Sequence, residues 1–154
     1  MTHPLKYAVV ERERRFLLRS VPDGVTEVRL VTDHYLTGTR LRLREVTHED
    51  GRVVRKLGHK VRLGPDPAEV ACTNAYLDDD EWATLNALPS RTLHKRRRLV
   101  RRDGLTVAVD ELEDGTLLAE IDDGDDAPAP VPDWLDVLAD VSADERWTGA
   151  ALAR

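Results

Sequence analysis

From Val9 to Leu18 the chain reads VVERERRFLL. Side chains alternate between the two faces of a strand, so this run as a strand sets Glu11, Glu13 and Arg15 on one side and Arg12 and Arg14 on the other. An ordinary half-buried strand has one apolar and one polar face, because burying unpaired charge is costly. Here charge occupies both faces. The stretch TGTRLRLREV puts Arg40, Arg42 and Arg44 on one face and Leu41 and Leu43 on the other. Likewise, GRVVRKLGHKVRLG places Val53, Leu57, Val61 and Leu63 opposite Arg52, Lys56, Lys60 and Arg62.

A short helix is predicted in LDDDEWATLNALP: acidic residues load its first turn, Trp82, Leu85 and Leu88 form an apolar stripe, and Pro89 ends it. The run from Arg91 to Gly124 reads as three strands joined by two tight turns, RDG and EDG. The first is basic, the second mainly apolar, and the third carries Glu120 and Asp122 opposite Ala119 and Ile121. A proline-rich connector, DDAPAPVPD, precedes DWLDVLADV and SADERWTGAALA, which read as short closing helices or turns.

Strands joined by short turns, with little helix between them, predict an α+β fold built on an antiparallel sheet. Charged faces on consecutive strands leave two arrangements. Either they meet solvent on an open sheet, or the sheet curls so that they line a water-filled interior. In the second case the apolar faces point outward, and helices around Trp82 and Trp134 cover them in part.

The length of 154 residues predicts a single domain spanning 1–154. The charged share of 34% is high against a usual ~25%. Its distribution matters more: residues 1–102 carry 21 Lys and Arg against 14 Asp and Glu, and residues 103–154 carry 2 against 15. A fold that brings the halves together sets basic strands beside acidic ones, which suits a polyanion held by cations and by carboxylate-bound metal.

Other classes are disfavoured. Aromatic residues at 5% supply a poor stacking platform for single-stranded nucleic acid, although HKRRRLVRR has the charge of a phosphate-reading patch. His3, His34, His48, His59 and His94 show no paired spacing for zinc. A lone cysteine, Cys72, excludes an internal disulfide and is expected in buried packing. The start MTHPLKYAVV lacks a signal-peptide pattern, and no apolar run approaches the ~20 residues of a membrane span, so the expectation is a cytoplasmic protein without a membrane partner.

The ordered motifs resemble those of the CYTH superfamily, the triphosphate tunnel metalloenzymes, which include class IV adenylyl cyclases, thiamine triphosphatases and inorganic triphosphatases. ERERR is similar to the family's E-x-E-x-K strand, RLRLR to its paired-arginine strand and RKLGHK to its lysine-bearing strand. HKRRRLV resembles its later K-x-R strand, VAVDEL its aspartate strand and LLAEIDD its A-E-I-E strand. The resemblance implies an eight-stranded antiparallel β-barrel, open as a tunnel, with a charged interior and a few short helices packed outside.

It also implies a site. Glu11, Glu13, Glu120 and Asp122 would hold Mg²⁺ or Mn²⁺, and Arg40, Arg42, Lys56, Lys60, Lys95 and Arg97 would bind phosphates, with Asp110 supporting them. Hard divalent cations take oxygen ligands, and arginine forks match phosphate oxygens. Glu11, Glu13 and Arg15 would be the catalytic group of a metal-dependent phosphohydrolase cleaving the terminal phosphate of tripolyphosphate or an organic triphosphate. Its partner would be a small triphosphate-bearing molecule, and the protein a monomer or homodimer.

Departures from the family pattern bear on the reaction. Arg15 stands in place of the signature lysine and stays protonated, so it can act electrostatically but not as a general base. Ala108 replaces a common glutamate, Asp122 is shorter than the usual glutamate, Arg98 takes the place of a tyrosine, and Glu69 is the nearest candidate for an acidic pair before the helix. The alternatives are a catalytically weakened binder of phosphate-rich ligands and a basic RNA-binding module, while cyclisation is less favoured for want of a visible nucleotide pocket.

Overall fold

The computed structural model describes residues 5–154; His3 lies outside them. Its strands are β1 (Val9–Leu18), β2 (Val25–Leu36), β3 (Leu41–His48), β4 (Val53–Arg62), β5 (Glu69–Tyr76), β6 (Ser90–Arg102), β7 (Leu105–Leu112), β8 (Leu117–Asp122) and β9 (Val137–Asp140). Two helices, α1 (Asp79–Asn86) and α2 (Gly149–Leu152), and a 3₁₀ turn (Glu145–Trp147) complete the elements.

The sheet runs β5-β4-β3-β2-β6-β7-β8-β1-β9, and β5 also pairs with β1. That last pairing closes eight antiparallel strands into a barrel. Closure uses only the first half of β1, where Val9–Arg12 meet Glu69–Cys72. Along its second half the same edge of β1 pairs with β9, while the opposite edge pairs with β8 from Glu13 to Leu18.

Local sequence sets the connections. Asp103 and Gly104 both have positive φ, 54° and 75°, as the tight RDG hairpin turn between β6 and β7 requires. Helix α1 starts in a capping box, with the Asp78 carboxylate accepting from Glu81 N–H and the Glu81 carboxylate accepting from Asp78 N–H.

Because charge fills the interior, the apolar faces point outward and need cover. Phe16 and Leu18 of β1, Val107 and Val109 of β7, and Ala119 and Ile121 of β8 form one cluster, closed by Leu135 and backed by Trp134 and Val137. Leu36 and Leu43 form a second cluster beneath Trp82 of α1.

Three sequence expectations are corrected. Val137–Asp140 is a strand rather than a helix or turn, because the edge of β1 beyond the β5 pairing offers unpaired backbone groups. Trp134 covers the barrel from a turn segment, not from a helix. Leu88 lies beyond the Ala87 cap of α1 and is exposed, so the helix packs through Trp82 and Leu85 alone.

Candidate active site

Alternation along β1 aims Glu11, Glu13 and Arg15 into the barrel, where they line a cavity of about 360 Å³. Arg40, Arg42 and Arg44 reach it from β3 and the residue before it, Lys60 and Arg62 from β4, Lys95 and Arg97 from β6, and Glu120 from β8. Eight cationic side chains thus face three carboxylates across one cavity. On the other face of β1, Arg14 forks onto Asp123 at 2.7 and 2.9 Å, and Arg12 bonds Asp125 at 2.9 Å. The doubly charged strand is therefore explained: one face lines the cavity, and the other binds the acidic segment after β8.

Ion pairs order the interior. Lys60 donates to Glu11 at 3.0 Å, and Arg15 to Glu13 at 2.9 Å, while the Arg15 Nε lies 3.6 Å from Glu120. Arg97 forks onto Asp110, both bonds at 2.8 Å, and also reaches Glu120 at 3.0 Å. Lys95 lies 3.1 Å from Asp110 and 3.7 Å from Asp33. Arg44 forks onto Asp33 at 2.6 and 2.8 Å.

Burial alone would raise the pKa of Glu120, but Lys95, Arg97 and Arg15 outweigh it and hold the carboxyl well below its ordinary range. Asp110 is lowered in the same way against burial by Arg97 and Lys95, and Glu11 by Lys60. These groups stay ionised at neutral pH. Burial, aided by Arg44 and Arg42, pushes the Lys56 ammonium down to about 8.

Two polar atoms stand out. Among the described residues, the Nε atoms of Arg15 and Arg42 are buried without a hydrogen-bond partner, with the nearest carboxylates, Glu120 and Asp33, at 3.6 and 3.8 Å. Buried donors are almost always paired, and an unpaired one is costly. Both side chains belong to the cavity wall.

Of the residues expected in the site, Glu11, Glu13, Arg15, Arg40, Arg42, Lys60, Lys95, Arg97 and Glu120 come together at the cavity. Asp110 sits directly behind it, 1% exposed, as a partner of Arg97 and Lys95. Lys56 is paired in register with Arg44 but does not line the cavity wall. Asp122 is set apart: its Oδ1 accepts from the backbone N–H groups of Arg12 at 3.1 Å and Gly124 at 2.9 Å, capping the turn after β8. Glu69 pairs with Arg12, and Arg98 with Glu111, both away from the cavity. Cys72 is buried as expected, but against the ionised Glu11 and Lys60 rather than in an apolar core; burial and Glu11 push its thiol up.

The sequence reading passed over Asp33, Tyr35 and the chain from Thr148 to Ala150, which also bounds the cavity. Asp33 shares one face of β2 with Glu27, Arg29, Val31 and Tyr35, a mixed set that marks no site in the sequence.

Among the described residues no three His, Cys, Asp or Glu side chains converge as a ready metal cluster. Glu11, Glu13 and Glu120 nevertheless supply hard oxygen donors on neighbouring strands. Mg²⁺ is commonly held by one or two carboxylates together with substrate phosphates and water. Each of the three glutamates is already engaged by a cation, Glu11 by Lys60, Glu13 by Arg15 and Glu120 by Arg97.

No family model matches the chain, and no curated protein resembles it in sequence. Solved structures do resemble it in fold. The hypothetical protein NE1496 matches with a TM-score of 0.57 at 22% identity, over 93% of this chain and 97% of that one. A conserved hypothetical protein from Pyrococcus furiosus matches at 0.58 and 20%, over 77% and 81%. The PH1012 protein from Pyrococcus horikoshii matches at 0.55 and 15%, over 79% and 80%.

Proposed function

We propose that the protein is a divalent-metal-dependent phosphohydrolase that removes the terminal phosphate of tripolyphosphate or an organic triphosphate, as a member of the CYTH superfamily. The observation that carries this reading is the gathering of eight Lys and Arg side chains from β1, β3, β4, β6 and the residue before β3 around one cavity, against three carboxylates. A phosphate chain supplies the negative charge and acceptor oxygens that this excess of cations calls for. The ordered motifs of the sequence support the family, and the closed barrel is consistent with it.

On binding, the phosphate oxygens draw Lys60 and Arg15 away from Glu11 and Glu13. Glu11, Glu13 and Glu120 would be the residues to hold the metal, supplying its oxygen ligands together with the phosphate. A bound Mg²⁺ or Mn²⁺ would neutralise phosphate charge and favour attack by water at the terminal phosphorus. Arg15, fixed in its protonated form, stabilises charge on the transferred group and takes no proton. Arg97, held by Asp110 and Glu120, and Lys95 provide a pre-aligned wall for the remaining oxygens.

A second reading, a receptor for phosphate-rich ligands with little turnover, is favoured by the replacement of the signature lysine by Arg15. Metal-dependent phosphate release by the wild type separates the two, and the double variant Glu11→Gln with Glu13→Gln then tests the carboxylates. Under the hydrolase reading it loses metal-dependent phosphate release by about a hundredfold or more while still binding tripolyphosphate in chelator. Unchanged release would remove both carboxylates from the mechanism.

A further inference from the structure

We propose that Asp33 is a positioning residue for the phosphate-facing cations, a role that rests on the triphosphate reading above. Asp33 is fully buried in the middle of β2. It does not line the cavity, but the three cations around it do. Its carboxylate receives the Arg44 fork at 2.6 and 2.8 Å, and it lies 3.7 Å from the Lys95 ammonium and 3.8 Å from the Arg42 Nε. Those cations come from β3 and β6, the two strands that flank β2. A single negative charge therefore ties both cationic strands together.

The three partners are held unequally. Arg44 commits both Nε and one terminal nitrogen to Asp33 and is fixed. Lys95 is held by Asp110 at 3.1 Å and feels Asp33 only through space, at 3.7 Å. Arg42 lies 3.8 Å from Asp33 and, among the described residues, its Nε makes no hydrogen bond, so it is the least committed of the three. Asp33 thus sets a rigid cationic wall beside one adjustable clamp.

Electrostatics argues that alignment, not affinity, is what Asp33 supplies. Like charges gathered within a few ångströms repel one another, and a carboxylate behind them holds them in place. The same carboxylate also repels an incoming phosphate. Its removal should leave anion binding equal or tighter, yet slow a reaction that depends on the placement of those cations.

The test compares the wild type with Asp33→Asn, which keeps the shape, and Asp33→Glu, which keeps the charge but moves the carboxylate. Three readouts are taken: the Arg44 Nε–H signal by ¹⁵N NMR in the free protein, calorimetric titration of tripolyphosphate in chelator, and phosphate release with Mg²⁺. In Asp33→Asn the slowly exchanging Arg44 signal should vanish, the binding stoichiometry should stay at that of the wild type with affinity equal or tighter, and kcat should fall by about tenfold or more. Asp33→Glu should fall less, with full stoichiometry. If Asp33→Asn does not fold, Asp33→Glu decides alone, and an unchanged kcat overturns the proposal. So does a loss of kcat matched by an equal loss of binding stoichiometry, because that is unfolding. A wild type with a protected Arg44 signal but no affinity for tripolyphosphate overturns the triphosphate reading and reduces Asp33 to an ion-pair partner. A wild type that binds without turnover overturns the hydrolase reading, and Asp33 is then judged by the NMR and binding readouts, where weaker binding in Asp33→Asn counts against it.

Discussion

Lys56 shows how one side chain reports on the whole interior. Burial and two neighbouring arginines bring its pKa to about 8, so in the free protein it loses its proton within an accessible range. Lys56 does not line the cavity, but a polyanion bound there favours its charged form through space, so binding above that pH takes up a proton. Affinity for tripolyphosphate, measured by calorimetry in chelator, is therefore expected to decline as pH rises through about 8, and Lys56→Met should remove that inflection. A pH-independent affinity in the wild type would separate Lys56 from the ligand. On stability the sign is reversed. An unfolded lysine keeps its proton to about 10.4, so between the two values the unfolded state binds more protons and this group's contribution to stability rises with pH.

Residues of this kind were legible in unequal measure. Arg42 and Glu120 lie in strands whose other face is apolar beside them, so their direction follows from parity, whereas Glu11 and Lys95 lie in strands charged on both faces and are marked only by the ordered motifs. Asp33 shares its face with Val31 and Tyr35, a mixed set that gives no single sign. Asp122 has the parity of Glu120, yet β8 ends there and its carboxylate turns to cap backbone N–H groups.

At the scale of elements, the chain after β9 spans the cavity wall. Thr148, Gly149 and Ala150 bound the cavity. The segment is tied at one side by the Arg62 fork onto Glu145 and at the other by backbone bonds between Thr92 and Arg154 at 2.7 and 2.9 Å. Arg91 also donates to the Ala150 carbonyl at 2.6 Å. A Cβ on Gly149 would overlap the Tyr35 hydroxyl, so Gly149→Ala should force one of them to move and cost about 1–3 kcal/mol, read as a lower denaturation midpoint. The exposed Arg62–Glu145 pair should contribute no more than about 1 kcal/mol, so Arg62→Ala is the matched control. Equal effects from the two would show that the close approach at Gly149 is not a constraint.

None of this segment's docking could be read from SADERWTGAALA, because its partners are single side chains and backbone groups from strands more than 50 residues earlier. The same holds for β9. Its four residues carry too little pattern to mark a strand, and only the vacant edge of β1 makes it one.

At the scale of the molecule, the opposite charges of the two halves of the sequence meet inside the barrel and along its outer surface. Asp110 and Glu120 enter the interior and organise Arg97, Lys95 and Arg15, while Asp123 and Asp125 bind Arg14 and Arg12 on the outer side. Closure of β5 onto β1 turns charged strand faces into an enclosed cavity. The strands and their charge were readable from alternation, but closure was not, since an open sheet satisfies the same pattern. The outer apolar clusters under Trp82 and Trp134 supply the cover that a charged interior demands.

The most direct test of the account is phosphate release by the wild-type protein from tripolyphosphate, ATP and thiamine triphosphate, each with Mg²⁺, with Mn²⁺ and with chelator. The account predicts release from at least one substrate that requires metal and stops in chelator. Absence of release from all three in the presence of either metal would contradict it.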